Sequence, residues 1–280
     1  MSLTDFLKDK DVKAIFADEF QKPRGKIAGE IKAPLLTNKP PMIGTAFDYL
    51  MRFHLKYHNP DAITDRWVAE GACARMEERE SVEYYAKAKN DLDFATNAYN
   101  QFLNDGILTD DLLKSSLMLA HLDMYYRAGR DVYDIPMQIE PEDIQDLKNL
   151  ISIVDFDLFK AKKHCLLNPI FNEGSYLVGG ADADLVIDNM MIDIKTTKNL
   201  SVTRDIFNQI VGYYLLGVIG GIGEEKIDGS TIDKIGVYFS RHGILHLYDV
   251  NEIIDSETLP VTISILESMA EDMFHDDEYM

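Results

Sequence analysis

The apolar positions of this chain change their period about half way along it. In IGTAFDYLMRFHLKYH, after the Pro-rich approach APLLTNKPPM, Ala46, Leu50, Phe53 and Tyr57 recur at helical spacing, and Pro60 follows the end of the run. The same period predicts one long helix over residues 61–103, stopped by Asp105-Gly106, and further helices over 110–127 and 141–154. Pro141 suits the first turn of the last of these, where its missing N–H would have no partner anyway. Past about Lys160 the period shortens to two. YLVGGADADLVI, MMIDIKTT, KIGVYFS and ILHLYDV are short β-rich runs bounded by Gly, Asp-Asn and Arg-His-Gly turns, with one helix over 203–219 between the second and the third. The pattern predicts a mixed α/β fold with a large helical N-terminal half. Residues 1–160 are the mostly helical part, 161–250 the α/β core, and 251–280 a C-terminal helix and acidic tail. No internal repeat or low-complexity linker divides them, which predicts a single domain.

GGADADLVIDNMMIDIKTTKN, residues 179–199, sets charged side chains into strands that are otherwise apolar. Burying a charge is costly unless something pairs with it. If Asp188-Asn189 form a two-residue hairpin tip, Ile187 opposes Met190, Asp184 opposes Asp193 and Asp182 opposes Lys195. Ala183, Leu185, Ile187, Met190, Ile192 and Ile194 then share the opposite face, so one face is core and the other carries chemistry. Carboxylates opposed across a hairpin, with Cβ atoms roughly 4.5–5.5 Å apart, repel unless a cation or proton lies between them. Such oxygen ligands suit Mg²⁺ or Mn²⁺, one ion or two, and the Cys and His set that zinc prefers is missing. Lys195 projects to the same side, where an ammonium stabilises negative charge that grows in a transition state.

Composition narrows the setting. Over 280 residues, 48 acidic side chains against 28 basic ones give a net charge of -20, which repels phosphate backbones at long range and argues against a general nucleic-acid coat protein. A site neutralised locally by divalent ions escapes that argument. Cys73 and Cys165, far apart and without CxxC spacing, read as reduced thiols. No apolar run reaches the length of a membrane span and MSLTDFLKDKDVK lacks a signal-peptide core, so a cytoplasmic protein is expected. His54, His58 and His121 share no ligand spacing, and Tyr84, Tyr85, Phe94, Tyr99 and Phe102 read as packing residues. Gly217, Gly220, Gly221 and Gly223 mark a helix stop and turn, because no Walker lysine follows. Arg204 and Arg241-His242 are the basic groups expected nearest a phosphate backbone.

GGADADLVIDNMMIDIKTT resembles motifs II and III of the PD-(D/E)XK nuclease superfamily, in particular its RecB-like exonuclease branch. NQIVGYYLLG supplies the QxxxY helix of that branch as Gln209 and Tyr213, and IGTAFDYLMRF is similar to its N-terminal Gly-Thr-x-x-His motif with Asp48 at the histidine position. The resemblance covers residues 43–53 and 178–216. It implies a restriction-endonuclease-like core with a central mixed sheet flanked by helices. Asp184 and Asp193 would be metal ligands, with the Ile194 carbonyl and Asp48 as further ones, and Lys195 the catalytic lysine. Gln209 and Tyr213 would steady the site or touch the substrate, and Asp182, Thr196, Arg204 and Arg241 are candidate substrate contacts. Gly179-x-x-Asp182 also satisfies the family's spacing, but hairpin geometry favours Asp184. The implied activity is Mg²⁺- or Mn²⁺-dependent hydrolysis of DNA by an exonuclease of recombination, repair or phage DNA processing. The implied partners are DNA and a single-strand annealing protein or helicase. The alternatives are a non-catalytic DNA-end or protein-binding subunit of the same fold, and a restriction-type endonuclease.

Overall fold

A computed structural model describes residues 2–64, 67–128, 134 and 137–275. Among these, helices α1 (Leu3–Phe6), α2 (Lys10–Glu19), α3 (Pro40–His58), α4 (Val68–Arg79), α5 (Val82–Asp105), α6 (Asp110–Ala128) and α7 (Pro141–Ser152) account for most of the first half. The second half holds α8 (Glu173–Leu177), α9 (Arg204–Gly220), α10 (Val250–Ile253) and α11 (Leu259–His275) around one mixed sheet. Its strands lie in chain order: β1 (Ile63–Thr64), β2 (Cys165–Leu167), β3 (Leu185–Ile187), β4 (Met190–Lys195), β5 (Lys234–Phe239) and β6 (Ile244–Asp249). β1 runs parallel to β2 and β4 parallel to β5, while the other neighbours are antiparallel. Parallel neighbours need a crossover, and α9 supplies it between β4 and β5.

The Asp188-Asn189 tip forms as the turn chemistry predicts. Ile187 pairs with Met190 and Leu185 with Ile192. Asp188 adopts φ of 52°, in the left-handed region that Asp tolerates, and its carboxylate accepts the N–H groups of Lys162, Lys163 and His164 at 2.7–3.2 Å. Burial pushes the carboxyl up, but those bonds together outweigh it and hold it below the usual carboxylate range. The tip is therefore stapled to the segment that leads into β2.

Both faces of the sheet are core, which corrects the expectation that one face is free for chemistry. Leu185, Ile187, Ile192, Ile194 and Tyr238 pack against α3 to α7, whereas Val186, Met191, Ile235, Val237 and Phe239 pack against α1, α2, α9 and α11. Ala183 belongs to the second cluster rather than with Leu185, because the chain leaves the ladder before it. The physical reason is the position of β4, interior to the sheet and covered by helices on both sides, as expected where parallel pairs are present.

Three further expectations change. The long helix over 61–103 breaks: β1 comes first, α4 stops at Arg79, and Ser81 caps α5 by accepting the Tyr84 N–H at 3.3 Å. A serine hydroxyl competes for backbone donors and so starts a new helix. Residues 65–66 of that stretch lie outside the described residues. In YLVGGADADLVI, Tyr176 and Leu177 end α8, and Gly179 and Gly180 adopt φ of 73° and 133°, so the strand proper starts only at Leu185. The acidic tail past residue 275 also lies outside the described residues.

Arg241 is the third. It is not a surface contact for DNA: it is 2% exposed, forks onto both oxygens of the fully buried Asp146 at 2.8 and 3.2 Å, and donates to the Ala33 carbonyl at 3.1 Å. His242 beside it is buried as well. The tip joining β5 and β6 turns inward against α7, so its basic residue serves as a clamp on the segment before α3. Breaking a buried pair strands its partner charge, so Arg241→Ala should lower the unfolding free energy by about 3 kcal/mol, read as a shift of the urea midpoint. Arg204 is also engaged: its guanidinium caps the end of α2 on the carbonyls of Phe16 and Phe20.

Candidate active site

β4 carries the site at its C-terminal end. The parallel β4–β5 pairing continues to Lys195 opposite Phe239, whereas the antiparallel pairing with β3 ends at Leu185–Ile192. One step beyond that last pair, Asp184 turns its side chain, not its backbone, to β4, and its carboxylate accepts the Ile194 N–H at 2.5 Å. Asp182 does not oppose Lys195 as the plain hairpin predicts; it bridges Ile170 instead. The two strands splay apart there. A cleft of about 320 Å³ opens between β4, α3, α6 and α9, lined by Asp48, Asp182, Asp184, Asp193, Lys195, Gln209 and Tyr213 among others.

Inside it, Lys195 Nζ lies 3.0 Å from Asp193 Oδ1 and 2.8 Å from Oδ2, and donates to Gln209 Oε1 at 3.0 Å. Gln209 Nε2 donates in turn to the Tyr213 hydroxyl at 2.9 Å, and Tyr213 stacks on Phe171. Gln209 and Tyr213 stand one turn apart on α9, so one helical face presents both. The chain from Tyr213 through Gln209 to Lys195 and Asp193 fixes the ammonium in place. Asp193 is 3% exposed and Lys195 27%, so the ammonium is the end of the pair that meets the cleft.

The electrostatics are those of crowded acids. Burial, then the charges of Asp193 and Asp48, hold the Asp184 carboxyl well above the usual carboxylate range. Burial also raises Asp193, with Lys195 opposing and Asp48 adding to the rise. Asp48 is raised by burial, which Arg52 opposes. Burial works against the charge of Lys195, but Asp193 and Asp184 more than offset it, and its pKa stands above that of an ordinary lysine. Asp193, Asp184 and Asp48 therefore strain against one another, with one fixed ammonium between them and the solvent.

The sequence-predicted residues gather unevenly. Asp48, Asp182, Asp184, Asp193, Ile194, Lys195, Gln209 and Tyr213 line one cleft. Ile194 meets it through the N–H bound by Asp184. Thr196 is tied by its hydroxyl to Ser240 at 2.9 Å, and Arg204 and Arg241 lie elsewhere. His54 and His58 pack on Phe156, with ring centroids at 5.2 and 4.6 Å, as packing residues should.

Arg52, Asp123, Arg127 and Asn168 join the cleft without having been singled out. Arg52, itself buried, binds Asp48 Oδ2 at 2.5 Å and lies over the Tyr49 ring, whose hydroxyl donates to Asp123 at 2.6 Å. Burial raises the Asp123 carboxyl to about 6. Asp48 and Arg52 are four apart on α3, a spacing legible in the sequence, but nothing in the sequence joins them to Asp123 on α6.

The residues fit a divalent cation in chemistry. Asp48 Oδ1 is a buried oxygen of the cleft without a hydrogen-bond partner, and the only positive charge that meets the buried Asp193 Oδ2 among the described residues is the Lys195 ammonium at 2.8 Å. As the side chains stand, no three His, Cys, Asp or Glu among the described residues close around one point. Compared with models of known protein families, with curated proteins and with solved structures, the chain matches none. Among the described residues no helix is long and apolar enough to cross a membrane.

Proposed function

We propose that this protein is a divalent-metal-dependent deoxyribonuclease, an exonuclease built on a restriction-endonuclease-like core of PD-(D/E)XK type, acting in the cytoplasm. The observation that carries the reading is the ammonium of Lys195, held by Asp193 and Gln209 in a cleft shared with Asp184 and Asp48. Carboxylates that repel one another in a shared, partly open site suit a cation-assisted reaction better than a purely structural role. Asp184, Asp193 and Asp48 would hold Mg²⁺ or Mn²⁺, which when bound supplies Lewis acidity toward a phosphoryl oxygen.

The chain's own groups do the rest. Lys195 stays protonated and presents its charge where negative charge grows on the phosphoryl group. Gln209 and Tyr213 keep that ammonium from swinging into solvent. Arg127 is 60% exposed at the cleft and lies only 3.9 Å from Asp123, a loose pair that leaves the guanidinium free to turn to a phosphate. Arg127→Ala should raise KM for DNA by about tenfold with kcat little changed, the loss of one charge-assisted hydrogen bond, measured in steady-state digestion.

Digestion of linear and covalently closed circular DNA in Mg²⁺, with a chelator control, tests the reading. Loss of the linear form alone is expected. Cutting of the circle would make the enzyme an endonuclease. A folded protein that binds DNA ends and cuts neither would be the non-catalytic subunit.

A further inference from the structure

The basic residues of this acidic chain are not spread evenly. Residues 21–39, QKPRGKIAGEIKAPLLTNK, carry Lys22, Arg24, Lys26, Lys32 and Lys39 against Glu30 alone, in a chain whose net charge is -20. Lys39 is used by Asp143 at 2.7 Å. Lys22, Arg24, Lys26 and Lys32 have no acidic partner within ion-pair distance among the described residues, and neither has Lys198 on the loop that leaves β4. In a protein with 20 surplus acids, these cations make one strip locally positive, whereas other cations without an ion pair, such as Lys162 and Lys163, line no groove with it.

The strip is also ordered by specific contacts, although it forms no helix or strand. Arg204 fixes its start through the Phe16 and Phe20 carbonyls, and the Lys32 and Ala33 N–H groups fix its end on the Arg241 carbonyl at 2.9 and 3.0 Å. Between these anchors Gly29 presses on the sheet so closely that a Cβ there would come within 2.4 Å of Ile244 Cδ1 and 3.0 Å of Leu200 Cδ2. Residues 22–27 therefore line one wall of a groove of about 560 Å³, whose other walls are Leu200, Ser201 and Val202 with His246 and Tyr248 of β6.

The groove and the acidic cleft share a loop. Lys195 opens it in the cleft and Leu200 reaches the groove five residues later, no more than about 18 Å away by chain length. Along a single strand that distance covers only a few phosphates, so one short strand reaches both sites. We propose that Lys22, Arg24 and Lys26, with Lys198 on the shared loop, form a track for the phosphates of a single nucleic-acid strand whose reacting phosphate lies at Lys195. This rests on the nuclease reading for the second half of the statement, while the track itself rests on charge and shape. The groove has the size of a pocket for a drug-sized ligand, that is, for one or two nucleotides at a time. It resolves the conflict between a net charge of -20 and a polyanionic substrate: the molecule repels DNA in general and accepts it along one strip.

The test is a Lys22→Ala/Arg24→Ala/Lys26→Ala variant, whose side chains are exposed or half-buried, so that folding should survive and is checked by thermal melting. Binding of a fluorescein-labelled 20-nucleotide oligo-dT is titrated in Ca²⁺ over a range of salt. Mg²⁺-dependent hydrolysis of thymidine 5′-monophosphate p-nitrophenyl ester, too small to reach the strip, is measured beside it. The variant should bind at least tenfold more weakly, with its salt slope reduced by about 2, as expected for three lost phosphate contacts on a single strand. Hydrolysis of the small ester should be unchanged. A Lys162→Ala/Lys163→Ala control, at the hairpin-tip end of β4, should bind as wild type. Equal binding and slope in the strip variant would overturn the track whatever the ester shows, as would a loss as large in the control, or tighter binding of duplex than of single strand. A strip variant that loses binding while the wild type cleaves no phosphodiester would keep the track and remove the nuclease reading.

Discussion

Asp184→Asn should abolish Mg²⁺-dependent cleavage of linear DNA, a loss of about 10⁴-fold or roughly 5.5 kcal/mol of transition-state stabilisation, and should at the same time stabilise the metal-free protein at neutral pH. The two effects have one cause. Asp184 is held in a site where burial and the charges of Asp193 and Asp48 disfavour its ionised form, so its folded pKa stands above its unfolded one. A carboxyl raised in this way lends its stability at low pH, below the unfolded carboxylate range, and loses it as pH rises through the folded value. Asparagine keeps an oxygen for the Ile194 N–H and removes the charge. Thermal melts in chelator from pH 4 to 8 should show wild type and variant together at the acid end and the variant higher at the neutral end. Mg²⁺ should raise the wild-type midpoint and leave the variant nearly unmoved, since a ligand stabilises only the state that binds it. Asp182→Asn, at the cleft but bridged to Ile170, should weaken cleavage much less. The reverse ranking of the two acids would displace Asp184 from its assigned place.

Lys195→Ala should cut kcat by about 10³-fold with KM for DNA nearly constant, the pattern of a positioned charge that acts in the transition state alone. Its effect on the fold should depend on pH. Removing the ammonium leaves Asp193 buried with no counter-charge, so the folded pKa of Asp193 rises further and the chelated variant should lose stability as pH rises. Divalent ion should restore much of that loss by supplying the missing positive charge. Single-turnover digestion separates the chemical step from binding, and full turnover in the variant would remove Lys195 from the mechanism.

Part of this site was legible because β-structure writes its pleat into the sequence. Period-two alternation and the Asp188-Asn189 turn are local properties, and they gave the pairing of Ile187 with Met190 correctly. Gln209 and Tyr213 were singled out by the resemblance, and their spacing of four, one helical turn, put them on one face. The ladder's end was not. Asp182 follows Gly179 and Gly180 at positive φ, and where the chain goes after such a turn depends on its neighbours, here Ile170 rather than Lys195.

What the sequence determined by itself was the set of elements held by short-range order: the main helices apart from the break at Ser81, the hairpin register, and the face of α9 that carries Gln209 and Tyr213. What only the tertiary structure decided was everything set by segments far apart in the chain. Arg241 looks from the sequence like an exposed tip residue and is buried because Asp146, 95 residues away, takes its charge. Asp123 and Arg127 join Asp48 and Arg52 only because α6 packs on α3. The basic strip acquires its groove only because Gly29 lets it lie against Leu200 and Ile244. The physical reason is the same in each case: hydrogen bonds and periodicity along the chain act over a few residues, whereas burial and charge pairing act between whichever groups the packed layers bring together.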